Sequence, residues 1–359
     1  MVKSVKARVV ALVVAGVLVV SLLAGCSGSQ PAAPAPGGQP KAEQPKQEVF
    51  KVKFGHNQDT NSPQHRCAEA FKQKVEELSK GRVQVTVYPN MQLGQLRQQA
   101  EQVQAGTQEM SMQPVSVWGN FAQALEGFDI PFLFANNDAM FEVVTGPVGQ
   151  EVFKALEAKG LVQIGVETGG LKVMTGKAPY RGPKDLKGKK FRVMPAPILI
   201  ETYKAFGANP TPVEYGELYN ALQQGVVDGQ ENPLQTLSML KLWEVQKAVT
   251  ITNNGPMLYV TVGNKKWFDS LPKDLQQNIR DAMAYADKIE WEDLKKNEEG
   301  YLKQLKEKGM EVYSPTPEEM QAFREASKPV VEFIAGRIGK DLVDKLMKTA
   351  EAANIKYSK

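Results

Sequence analysis

The sequence predicts an α/β chain folded as two lobes. Segments with the period-2 pattern of strands alternate with segments of helical period along most of its length. Their order, strand, helix, strand, helix, strand, calls for a parallel sheet with crossover helices. About 310 residues follow a polar N-terminal stretch, more than one hydrophobic core usually serves.

The first residues lie outside that fold. Lys3, Lys6 and Arg8 precede an apolar run from Val9 to Leu23, the layout of an export signal over residues 1–25. The run is shorter than the roughly 20 residues that span a bilayer. Leu23-Ala24-Gly25-Cys26 resembles the lipobox of bacterial lipoproteins, which implies cleavage before Cys26 and a lipid anchor on its sulfur. Residues 26–48, rich in Pro, Gly, Gln and Lys, predict a disordered tether. Removing the three basic residues of the signal takes the net charge from +4 to +1, so the basic pI owes little to the folded part. No basic block supports nucleic-acid binding.

"VFKVKFGH" alternates as a strand and stops near Gly55. Asn61-Ser62-Pro63 opens a helix that runs to Lys80-Gly81. Within it Cys67 is in line with Phe71, Val75 and Leu78, as a small buried hydrophobe. "RVQVTVYP" predicts a strand, "LGQLRQQAEQVQAG" a helix and "EMSMQPVSVW" a third strand. "LVQIGVE", "LKVMTG" and "KKFRVMP" are strand-like, "ILIETYKAFG" and "ELYNALQQG" helical, and "VVDGQ" a brief strand and turn. A helix is expected to start at Asn232-Pro233, a strand at "PMLYVTVGN", and a long polar helix from Pro272 to about Lys308. Amphipathic helix fills the C-terminus. Ligands of open α/β sheets sit beyond the carboxyl ends of the strands, which points to Gly55-His56-Asn57 and Gln113-Pro114-Val115.

Enzymatic signatures are missing. The two histidines, His56 and His65, form no zinc helix, there is no Gly-x-Ser-x-Gly elbow, and "LKVMTGKA" has Leu171 and Ala178 where a phosphate loop needs Gly and Ser or Thr. No catalytic residue, cofactor or metal site is expected. Arg192 is the exception to an apolar strand. It lies near the strand's carboxyl end, on the face opposite Phe191 and Val193. Its planar fork matches a carboxylate in two parallel bonds, and an internal salt bridge to an acid such as Glu201 is the competing role.

"GANPTPVEYGELYNALQQGVVDGQENP", with "FRVMPAP", "FGHNQDTNSP", "GRVQVTVYPNMQLG", "EQVQAGTQEMSM", "DIPFLF" and "DLKGKKFRV", resembles the solute receptors of tripartite ATP-independent periplasmic (TRAP) transporters, of the dicarboxylate and sialic-acid type. The resemblance implies a two-lobed periplasmic-binding-protein-like fold with a ligand cleft between lobes and a long connecting helix. It implies an extracytoplasmic receptor that hands a small organic acid to membrane permease subunits. It implies that Arg192 is the main carboxylate ligand, with Asn232 beside it, Lys177 as a second basic residue, Tyr215 as an aromatic wall and Asn57 as a polar contact. Asn232 could also cap the helix at Pro233. Gln113 could contact ligand, whereas Trp118 fits the core and His56 fits either a sensor of ligand charge or a structural histidine. Gln95 and Pro114 stand where sialic-acid receptors carry acids, which argues against that ligand.

The expected division is 49–174 plus 258–297 for the first lobe and 175–257 plus 298–359 for the second. The rival readings are a surface lipoprotein enzyme using Asp228 with Glu231, and a ligand sensor.

Overall fold

The computed structural model describes residues 48–358, so the expected signal peptide, lipidated Cys26 and all but the last residue of the tether lie outside the described residues. Ten strands are paired: β1 (Phe50–His56), β2 (Val83–Tyr88), β3 (Met110–Pro114), β4 (Leu161–Gly176), β5 (Lys190–Val193), β6 (Asn209–Pro212), β7 (Gly229–Pro233), β8 (Ala248–Thr250), β9 (Pro256–Asn264) and β10 (Glu311–Tyr313). Their order is β2-β1-β3-β9-β4-β7-β5-β6, with β8 joining β4 to β10.

The sheet is mixed where the sequence predicted a parallel one. β1, β2 and β3 run parallel, as do β5, β6 and β7, through the helical crossovers expected. β9 arrives from much later in the chain and pairs antiparallel with both β3 and β4. Local period cannot register such a partner.

β4 joins the two halves. "LVQIGVE" and "LKVMTG" are one strand of 16 residues, paired with β9 through its first part and with β7 from Lys172 to Thr175. Between Thr168 and Leu171 the register shifts by one extra residue, and Gly170 there has φ +94°, a conformation glycine adopts without Cβ strain.

The helix Pro63–Leu78 starts where Ser62 accepts from the His65 amide, and buries Cys67, Phe71 and Val75. The helix Lys273–Glu307 has 35 residues. Leu275, Ile279, Met283 and Ala286 recur at helical spacing and enter the larger core, and Leu305 enters a second cluster with Leu218, Leu222, Val227 and Leu237. One helix thus spans both halves. Among the described residues no helix is long and apolar enough to cross a membrane.

One local expectation is corrected. Val115–Trp118 turns into a helical segment at the end of β3, because Pro114 ends the ladder. The last helix, Lys340–Lys356, packs on residues 133–151: Lys345 pairs with Glu151, and Asn354 bonds the Leu133 carbonyl and the Ala135 amide. Its amphipathic pattern states that it must pack, without stating where.

Candidate binding cleft

The carboxyl end of β5 presents Arg192, which is 1% exposed. β5 and β7 pair Arg192 with Gln230, so Arg192, Gln230 and Asn232 share one face. The Arg192 Nε donates to the Val213 carbonyl at 2.9 Å. Its Nη2 is buried with no partner. Among the described residues no carboxylate lies within 4 Å of the guanidinium, and Glu201, the internal acid considered from sequence, pairs with Lys204 instead. Burial pushes the Arg192 pKa down to about 10, so the group remains charged at neutral pH.

The first half of the sheet brings a different set of groups. β1 and β3 are in register at His56 and Met112, so Asn57, just past the end of β1, comes beside Gln113, near the end of β3. Both are buried. Neither amide atom of Asn57 has a partner, nor does Gln113 Oε1. Tyr259, on β9 opposite Pro114, receives the Gln58 side-chain N–H. Tyr215, half-buried, reaches from the other half: burial pushes its hydroxyl pKa up, with Tyr259, Arg192 and Asp59 nearby. The halves also touch directly. Asn120 Nδ2 donates to the Pro195 carbonyl at 3.1 Å, and a Cβ on Gly216 would stand 2.6 Å from the Gln95 amide. Tyr215 thus stands near Arg192 on one side and near Tyr259, with the Asn57 and Gln58 amides beside it, on the other, and the candidate cleft is the space between these groups.

Over residues 54–337 the sequence matches the family described as bacterial extracellular solute-binding protein, family 7. The chain belongs to that family.

Curated relatives include the C4-dicarboxylate-binding periplasmic protein DctP of Rhodobacter capsulatus, 34% identical over 302 residues, which cover 82% of this chain and 90% of that one. Among solved structures, the sugar acid binding protein DctPAm of Advenella mimigardefordensis in complex with galactonate matches at TM-score 0.82 and 31% identity, over 85% of this chain and 99% of that one. A TRAP periplasmic solute binding protein of Shewanella oneidensis with bound succinate matches at TM-score 0.81 and 29% identity, with the same two coverages. The family 7 protein is thus an extracytoplasmic TRAP-type solute receptor of two-lobed α/β fold, a transport component and not an enzyme.

In this family 7 protein the other expected positions fall as follows. Lys177 is exposed, beside Tyr180, Asp185 and Asp228 in a surface hollow away from Arg192. The buried cation is Lys172, five residues earlier on β4, with Nζ 3.1 Å from Glu231 and 3.6 Å from Asp129. It had the same sequence signal as Arg192, a single cation inside an apolar strand, and it was masked by its resemblance to a phosphate loop. Tyr203 and Asn254 also donate to Glu231, at 2.9 and 2.7 Å, so that carboxylate is fully used. Asp228 accepts instead from the Lys190 amide, and the Asp228–Glu231 acid pair of the enzyme reading does not converge.

Asn232 does not cap the next helix, because β7 runs on through Pro233 and Pro233 itself takes the cap position. Its side-chain N–H donates to Gln230 Oε1. His56 is structural. Its Nδ1 accepts from the Gln58 amide at 3.2 Å, which leaves Nε2–H to donate to His65 Nδ1 at 3.1 Å, and burial lowers its pKa to about 3. Trp118 is core, with its indole N–H on the Val260 carbonyl.

Proposed function

We propose that this receptor binds a small organic acid through an Arg192–carboxylate contact and delivers it to a TRAP-type membrane permease. The observation that carries the reading is the guanidinium itself, buried, charged and without an acid partner. A buried donor left unpaired costs on the order of 1–3 kcal/mol, more when charged, and a carboxylate removes that cost. With Nε held by Val213, the free edge is the Nη1–Nη2 pair, which takes a carboxylate end-on. Tyr215 lies near the guanidinium, and Asn232 shares its face of the sheet. Closure of the lobes excludes water and strengthens the ion pair, so the acid favours the closed arrangement through differential binding.

The residues expected as two lobes, 49–174 plus 258–297 and 175–257 plus 298–359, would move about β4 and the long helix. Before them, residues 26–48 would tether the receptor to the membrane through a lipid on Cys26. Metabolic labelling with a fatty acid, lost in Cys26→Ser, tests the anchor.

The ligand reading is tested by heat. At 100 times its dissociation constant, a matching acid should stabilise the fold by about 2.7 kcal/mol. Across a panel of mono-, di- and keto-acids, at least one should raise the melting temperature, and Arg192→Lys should abolish the shift while melting near the parent. If neutral sugars or peptides stabilise the protein and no acid does, the reading fails. Ion-driven uptake of the same acid by co-expressed permease subunits tests delivery.

A further inference from the structure

The two walls of the cleft are chemically unlike, and this restricts the acid. Charges come first. Of the cleft cations, Lys172 is already neutralised by Asp129 and Glu231, and it projects with Glu231 from the face of β4 and β7 opposite Arg192 and Asn232. Arg97, at the rim, is exposed and paired with Glu101. His56 is enclosed by His65 and Gln58. Arg192 alone is left for a carboxylate. A second carboxylate would be buried against a wall without a cation, and an unpaired buried charge is costly.

The amide wall asks for donors. Gln113 Nε2 gives its N–H to Ser111 Oγ at 2.8 Å, and that hydroxyl spends its own proton on the Gly55 carbonyl or on Gln99. The Gln113 amide is therefore fixed with Oε1 as the free atom, an acceptor with nothing to accept. Gln58 is held likewise, its N–H on Tyr259 and its Oε1 unpartnered. Asn57 Oδ1 is likewise an acceptor without a donor, while its N–H groups lie beside the Tyr259 hydroxyl. Carboxylate oxygens only accept, whereas a hydroxyl both donates and accepts.

We propose that the ligand is a monocarboxylic acid bearing hydroxyl groups, of the aldonic type, held by its carboxylate on Arg192 and by its hydroxyls on Asn57, Gln58 and Gln113, in preference to a dicarboxylate. The proposal rests on the Arg192 reading above. A site built to hydrogen-bond hydroxyls rejects analogues that lack them, because its own polar groups are left unpaired.

The test is titration calorimetry of the purified protein with acids matched in length: erythronate, succinate and butyrate at four carbons, gluconate, adipate and hexanoate at six. One hydroxy acid should bind at least about tenfold more tightly than both the dicarboxylate and the plain acid of its length. Gln113→Leu and Asn57→Leu should reduce the ratio of hydroxy-acid to plain-acid affinity, measured on the same variant, by about tenfold or more. A variant merely damaged in folding would weaken both ligands together, and Gln113→Met serves as a second, milder substitution. Tighter binding of the dicarboxylate that still requires Arg192 would overturn this inference alone. Binding of no acid at all would overturn the Arg192 reading and this inference with it.

Discussion

Lys172 and Lys177 are five residues apart and do different things. The Lys172 ammonium is shared by two buried acids, while Lys177 is in solvent. Lys172→Met should therefore cost about 3–5 kcal/mol, since it strands Asp129 and Glu231 without a counter-ion. Lys177→Met should stay within about 0.5 kcal/mol. Denaturant titration of the pair separates them, and equal costs would contradict the assignment. The place of Arg192 was legible from sequence because one arginine in an apolar strand is conspicuous, because alternation gives its face, and because Pro195 marks the strand's end just beyond it. Lys172 had the same sign but was read as part of another motif. The unpartnered state of Asn57 and Gln113 had no sequence signal, because it depends on what β9 and Ser111 bring beside them.

At the level of elements, β4 and the long helix meet through acids. Glu167 from β4 faces Asp287 and Glu290 from the helix, with Cys67 and Gln64 of the helix Pro63–Leu78 closing the group. Among the described residues none of the three carboxyls has a basic partner within 4 Å. Asp287 accepts from the Val166 amide and Glu290 from the Thr168 amide, both at 3.1 Å, so the acids tie the helix to the strand just before its glycines. Burial raises all three carboxyls, Glu167 to about 7, and the charge of Glu167 raises Asp287 and Glu290 further. A carboxyl raised in the folded state binds its proton more tightly there than in the unfolded chain. Its stabilisation is thus present at low pH and lost as pH rises from about 4.5 through 7. His56 has the opposite dependence: its folded pKa is depressed to about 3, so stability is lost as pH falls below 6.5. The melting temperature should peak in mildly acidic solution. Glu167→Gln should flatten its decline between about pH 4.5 and 7, and an unchanged decline over that window in the variant would exclude Glu167 as the source. These elements were well marked in sequence, with Pro63, Gly81, Gly106 and Pro272 at or near their ends. Short β6, β8 and β10 were not, because three or four residues carry too little period to show.

For the whole molecule, the larger core is continuous across the sheet. Val52 and Phe54 of the first half belong to the same cluster as Phe191, Val193 and Tyr203 of the second. Calorimetry should therefore record a single unfolding transition with equal calorimetric and van't Hoff enthalpies, and two resolved transitions would show that the halves melt independently. Two lobes were foreseeable from length. The packing of the last helix against residues 133–151 was not, because it joins segments separated by 194 to 221 residues.

The extra residue in β4 between Thr168 and Leu171 decides something that bending alone does not: odd or even. Side chains alternate along a strand, so the number of residues crossing between the halves fixes which way everything beyond it points. Deleting Gly169 would remove the second of the two register shifts with β9, yet it would turn Lys172 toward the Arg192 face and send Val173 to the acids. Adding or removing two residues would shift the second half along its axis and keep its faces. The crossing can change by pairs without inverting the cleft, and by single residues it cannot.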